Sequence, residues 1–190
     1  MGSTSQPLQL PPFPIADVQI IYATPELIPS FYQTLRVVAA EKIYLDLVET
    51  PAWERILSLQ QGLMKQKVPV YYAVAGGQVI GWCSIYPETH ICHAHRSRLV
   101  TGLLPDFRGF GLGSRLLQAA LSQAETDGVE KVELYVYTDN LPAIHLYLKM
   151  GFEQEGRMRR YRKYQGEYKD ALLMGKLLGQ GPPHTDNHRI

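Results

Sequence analysis

The chain has 190 residues, is 45% hydrophobic and carries a formal net charge of +1. That is enough apolar material for one well-filled core and too little length for two domains. So small a charge excludes the global basic field expected of a nucleic-acid binder, and no apolar run approaches the ~20 residues that a membrane span needs. The first residues lack the charged-then-apolar layout of a signal peptide, and Gln6 stands where a myristoylation motif needs Ser or Thr. The two cysteines, Cys83 and Cys92, are therefore expected as free thiols in a reducing cytoplasm.

In chain order, residues 1–16 hold Pro7, Pro11, Pro12 and Pro14 among polar neighbours and read as a flexible or draped arm. A single domain is expected over 17–178, followed by a polar, Gly- and Pro-bearing tail over 179–190. Asp17 to Ala23 reads as a first strand. Glu26 to Lys42 and Ala52 to Lys67 read as helices, the first with Leu27, Phe31, Leu35 and Val38 at helical spacing. Val70 to Ala75 and Val79 to Tyr86 read as two strands joined tightly at Gly76-Gly77.

Arg98 to Leu104 reads as a strand that stops at Pro105-Asp106, and Leu112 to Ala124 as an amphipathic helix. Between them lies Arg108-Gly109-Phe110-Gly111-Leu112-Gly113-Ser114. A glycine-punctuated turn at a helix N-terminus leaves backbone N–H groups unpaired and pointing one way, a site for phosphate. Spacing excludes two common forms of such a site. A dinucleotide fingerprint G-x-G-x-x-G finds Ser114 in its last place when counted from Gly109, and Leu116 when counted from Gly111. A P-loop finds Ser114 and Arg115 where Gly and Lys belong. Lys131 to Tyr137 alternates as a strand, with Val132, Leu134 and Val136 against Glu133, Tyr135 and Tyr137. Thr138-Asp139-Asn140 and Pro142 then start a short helix, Ala143 to Met150, which Gly151 closes. A last hairpin runs from Phe152 to Tyr164, turns at Gln165-Gly166-Glu167 and returns from Tyr168 to Leu178.

Arg108-x-x-Gly111-x-Gly113 resembles the pyrophosphate-binding signature of the GNAT superfamily, the acyl-CoA-dependent N-acetyltransferases. Asn140, Ala143, Tyr147, Gly151 and Phe152 are similar to a second pattern of that family, in the right order and one helix and one strand away. The resemblance covers roughly residues 17 to 178. It implies an α/β fold of order β-αα-βββ-α-β-α-ββ, a mixed sheet with helices on both faces, and direct acetyl transfer from acetyl-CoA to the primary amine of a small molecule or a peptide N-terminus. It further implies that backbone around Leu103 and Leu104 bonds the pantetheine arm and that the backbone from Arg108 through Gly109, Phe110, Gly111, Leu112 and Gly113 to Ser114 holds the pyrophosphate. Asn140 would bond the cofactor or orient the acceptor amine, and Tyr147 would protonate the departing thiolate. A phenol of pKa near ~10 held against a thiolate of pKa near ~8.5 suits that role. The plainer readings, Tyr147 as a core aromatic and Asn140 as a helix cap, are compatible with it.

For the base that takes the amine proton, His95 is the first choice. His93 and His95 share a strand face with Thr101 and Leu103 if the strand runs that far back. Glu41 and Glu88 are rivals, and some relatives use only water. His90, Cys92, His93 and His95 invite a metal reading, but alternation separates Cys92 from the histidines and no second ligand pair accompanies them, so no metal is expected. Arg157, Arg159, Arg160, Arg162 and Lys163 make one strand of the last hairpin basic, either toward an acidic acceptor or, as slightly favoured, as a charged edge that discourages aggregation. The expected partners are acetyl-CoA and an amine, not nucleic acid or membrane, with homodimers common in such enzymes. The alternative from another class is a CoA-binding regulatory module without turnover, against which Tyr147 and Asn140 argue.

Overall fold

The computed structural model describes residues 14–47 and 49–179. The expected arm and tail therefore lie largely outside the described residues, apart from a 3₁₀ turn at Ile15–Asp17. The elements are β1 (Gln19–Tyr22), α1 (Ile28–Ala40), α2 (Trp53–Lys65), β2 (Val70–Ala75), β3 (Gln78–Pro87), β4 (Arg96–Leu103), α3 (Leu112–Thr126), β5 (Lys131–Tyr137), α4 (Leu141–Lys149), β6 (Glu153–Tyr164) and β7 (Glu167–Leu177). This is the expected order. One seven-stranded mixed sheet takes the order β1-β2-β3-β4-β5-β7-β6.

Local chemistry accounts for the corners. Gly76 and Gly77 both have positive φ, 54° and 76°, as the two central residues of a primed hairpin turn require. The first helix begins two residues later than its apolar pattern suggests, because Pro25–Leu27 form a separate 3₁₀ turn ahead of it. The two sheet faces bury different cores. On one side Phe31, Leu35 and Val38 of α1 and Ile56 and Leu63 of α2 cover Val70, Tyr72 and Trp82. On the other, Leu112, Leu116, Leu117, Ala120 and Ala124 of α3 and Tyr147 of α4 cover Ile80, Cys83, Leu99, Val132, Leu134 and Val136.

Strands β4 and β5 pair in parallel, and only over Arg96↔Lys131, Ser97↔Val132 and Arg98↔Glu133. Beyond Arg98 they part: β4 continues to Leu103 held by β3 alone, and β5 continues to Tyr137 held by β7 alone. The closed end of this V is pinned by charge. Buried Glu133 accepts from Arg96 at 3.3 Å and pairs with Lys131 at 2.9 Å, and Lys131 also reaches Glu155 at 2.9 Å. Burial pushes the Glu133 pKa up, but Lys131 and Arg96 outweigh it and hold the group below its ordinary value.

A carboxyl lowered in this way stabilises the fold above the unfolded glutamate pKa, near ~4.3, and that contribution is lost as pH falls through the lower folded value. Glu133→Gln is expected to cost on the order of 1–3 kcal/mol at pH 7, since it leaves Arg96 without its ionic partner. Urea unfolding should show that deficit shrink in acid, below about pH 4; a deficit independent of pH would mean the charge itself contributes nothing.

Candidate active site

The glycine corner has the backbone geometry that an anion cradle needs. Gly109 and Gly111 have φ of 84° and 80°, with Gly111 standing as the N-cap of α3, and glycine alone adopts this region without cost. Arg115 is the first residue of the helix whose N–H finds an acceptor, the Gly111 carbonyl at 3.2 Å. Among the described residues no acceptor within the chain engages an N–H from Gly109 through Ser114. That row sits at the positive end of the α3 dipole. Gly113 serves packing instead. A Cβ there would stand 2.9 Å from Leu146 Cδ2, so its lack of a side chain lets α3 and α4 approach closely. Leu112 is fully buried and anchors the corner in the core.

Arg108 does not contribute its N–H, which donates to the Pro105 carbonyl at 3.1 Å, so the cradle starts one residue later than expected. Its side chain is a brace. Nη1 and Nη2 meet Glu41 in a bidentate pair at 3.0 and 2.7 Å, and Nε donates to the Leu103 carbonyl at 2.9 Å. The guanidinium also lies over the Tyr44 ring at 5.0 Å. Glu41, a rival for the base, is thereby neutralised and tied to the donor side.

The expectation for Leu103 and Leu104 divides. The Leu104 N–H donates to the Ile80 carbonyl at 2.9 Å, so it faces β3 and is engaged. By strand alternation the peptide groups of Thr101 and Leu103 and the carbonyl of Leu99 point the other way, toward β5; the Leu99 N–H closes the last ladder bond beside Glu133, and the Leu103 carbonyl is taken by Arg108. Leu103, not Leu104, presents its N–H to a ligand lying there.

Tyr147 is 8% exposed, its ring edge-on to Phe152 at 5.8 Å. It shares an apolar cluster with Leu99 of β4 and Leu134 and Val136 of β5, the strands that flank the gap. Its hydroxyl makes no hydrogen bond among the described residues. Burial, and then the nearby Cys83 thiol, push its pKa up, so the phenol keeps its proton at neutral pH. Asn140 caps α4, its Oδ1 accepting from the Ala143 N–H at 3.3 Å. Its amide nitrogen is left without a partner among the described residues.

The structure does not bring His95 to this place. The strand is not continuous back through His93, because Ile91–His93 form a 3₁₀ turn capped by the His90 side chain. The exposed His95 precedes β4, and its carbonyl accepts from Glu130 and Lys131 at 2.9 and 3.2 Å. It sits at the closed end of the V, roughly 26 Å of strand from Leu103. Glu88 pairs with Arg98 at 3.3 Å. Among the described residues no three His, Cys, Asp or Glu side chains are grouped to hold a metal ion. The basic row lies on β6, the outer strand of the sheet, where Arg157 pairs with Asp170 at 2.8 Å.

One feature absent from the sequence expectations is a cleft along the part of β5 that has left β4, lined by Tyr44, Asp46, Tyr135, Val136, Tyr137, Tyr161 and Ala171. Asp46 accepts from the Tyr137 hydroxyl and, at 3.0 Å, from the Tyr161 hydroxyl. Burial first, and then the Asp46 charge, push the Tyr161 phenol up to about 12. The alternation of Tyr135 and Tyr137 was a signal for this face, but Asp46 lies in a connection without a motif.

Residues 36–152 match the sequence profile of the acetyltransferase (GNAT) family. The chain is 28% identical over 153 residues to the L-amino acid N-acetyltransferase of Escherichia coli, covering 77% of this chain and 91% of that protein. The acetyltransferase of GNAT family from Streptococcus pneumoniae superposes with a TM-score of 0.78 at 27% identity, covering 85% of this chain and 99% of that one. A protein from Salmonella typhimurium, solved with its cofactor acetyl-CoA, has the same fold, with a TM-score of 0.82 at 17% identity over 88% of this chain and 97% of that one. With a cradle of free amides beside two parted parallel strands, and a profile that spans most of the domain, this chain belongs to the acetyltransferase (GNAT) family and is an acetyl-CoA-dependent N-acetyltransferase.

Proposed function

We propose that the protein transfers the acetyl group to the primary amine of a small molecule or peptide N-terminus in a ternary complex, with its residues in the following roles. N–H groups from Gly109 to Ser114 hold the pyrophosphate. The Leu99 carbonyl, the Thr101 peptide groups and the Leu103 N–H hold the pantetheine arm as the strand missing between β4 and β5, and one N–H is aimed at the thioester oxygen. The Asn140 amide nitrogen donates to the bound donor. The neutral amine attacks the carbonyl carbon, the C–S bond breaks, the nitrogen's surplus proton leaves to water, and Tyr147 gives its proton to sulfur and is reprotonated from solvent. Holding both reactants together supplies most of the acceleration. The free thiols of Cys83 and Cys92 fit work in a reducing cytoplasm.

The observation that carries this reading is the row of unpaired amides placed where two parallel strands separate. The relative named for L-amino acid acetylation supports a small α-amine as acceptor. The test is thiol release from acetyl-CoA across amino acids, short peptides and diamines, alongside calorimetry of acetyl-CoA binding. Binding together with amine-dependent release is expected; binding without release from any amine would leave only a CoA-binding module.

A further inference from the structure

We infer that Asp46 is the site at which the acceptor's ammonium group is recognised, so that the enzyme selects amines that arrive positively charged. This rests on the acetyl-transfer reading above and names the feature of the acceptor that the cleft reads.

Asp46 is held by two phenols, Tyr137 on Oδ1 and Tyr161 on Oδ2. Two neutral donors occupy about half of the roughly four lone-pair positions a carboxylate offers. Among the described residues no Lys or Arg forms an ion pair with it, although four cations lie close by. Arg98 pairs with Glu88 and stacks over Tyr135 at 4.9 Å. Lys169 pairs with Asp139 at 2.6 Å. Lys42 bonds the Tyr164 hydroxyl at 3.3 Å. Arg162 donates to the Lys42 carbonyl at 2.9 Å and lies over the rings of Tyr137 and Tyr164. Arg98 and Lys169 are matched by carboxylates of their own, whereas Lys42 and Arg162 meet only neutral oxygens and rings, with Arg162 Nη2 left without a hydrogen-bond partner among the described residues. None of the four is in ion-pair range of the exposed Asp46 carboxylate, which keeps room for a further donor.

The walls suit the same ligand. Tyr44, Tyr135, Tyr137 and Tyr161 line the cleft, and aromatic faces attract a desolvated cation. Both phenols that touch Asp46 stay protonated at neutral pH because burial disfavours their ionised forms, so they act as donors and leave Asp46 as the acceptor. An ammonium brings donors and one positive charge to a carboxylate that has room for both. The cleft follows β5 through Tyr135, Val136 and Tyr137, so an amine seated there lies beside the gap assigned to the thioester. It gives one proton to water before attacking.

The experiment is steady-state kinetics of the full chain and its Asp46→Asn variant, using as acceptor whichever of L-leucine, glycinamide and 1,4-diaminobutane the unaltered enzyme turns over fastest. The same comparison is made with 2,2,2-trifluoroethylamine, an amine largely uncharged at pH 7. For the charged acceptor KM is expected to rise about 10- to 100-fold, the scale of one lost hydrogen bond to a charged group. The acetyl-CoA dissociation constant should stay unchanged, and KM for the fluorinated amine should move far less. Asp46→Glu should recover part of the loss. Equal KM changes for the two amines, or none, would overturn the assignment and leave Asp46 as a tether for its loop. An unaltered enzyme that binds acetyl-CoA and acetylates no amine would instead remove the reading beneath it, and this assignment with it.

Discussion

Tyr147→Phe is expected to lower kcat by ~10- to 1,000-fold, the usual scale for a lost general acid, with little change in acetyl-CoA affinity. The substitution removes one oxygen and keeps the ring, so the packing on Phe152 and the apolar cluster under the gap is retained. Among the described residues the hydroxyl donates to no acceptor, so its removal orphans no partner there and stability should hold within about 1 kcal/mol. Thiol release at saturating acetyl-CoA measures the effect; undiminished kcat would place the proton donor elsewhere, with solvent the nearest replacement.

The second large effect is expected at the cradle. Nothing lies within 4 Å of a Cβ built on Gly111, yet its φ is +80°, so a side chain there meets no neighbour and still strains the backbone. A β-branched residue in this region costs ~1–3 kcal/mol, which the chain relieves by rotating the peptides on either side. Those peptides carry the N–H groups proposed to hold the phosphate. Gly111→Val should therefore weaken acetyl-CoA binding about tenfold or more, one power of ten for each ~1.4 kcal/mol, while circular dichroism stays native. Calorimetry decides it, and an unchanged dissociation constant would show that the amides of this corner do not hold the donor.

What the sequence shows and what it hides follow from the range of the interactions involved. The helix start at Gly111, the hairpin at Gly76-Gly77 and the alternation of β5 are local, set by φ preferences and by which face of an element is apolar, and all are legible. The Asn140 cap is local as well. The divergence of β4 and β5 is a relation between two strands separated by a whole helix, and only a family resemblance could suggest it. Arg108 shows the same limit. Its motif position points to phosphate, yet its guanidinium goes to Glu41, 67 residues earlier in the chain, a partner that no spacing reveals. His95 misled because period-two counting assumes an unbroken strand, and the 3₁₀ turn at Ile91–His93 breaks it. Asp46 sits in a segment with no period at all, where a single carboxylate looks like any solvated one.

The Arg108 brace also bears on timing. One arginine grips the carbonyl end of β4, the last turn of α1 and the Tyr44 ring, and Tyr44 stands two residues before Asp46. Anything that stiffens the glycine corner is thus felt, through a single side chain, in the loop proposed to receive the amine. Such a linkage makes a compulsory order, with the thioester entering first, the expected pattern in initial-rate kinetics.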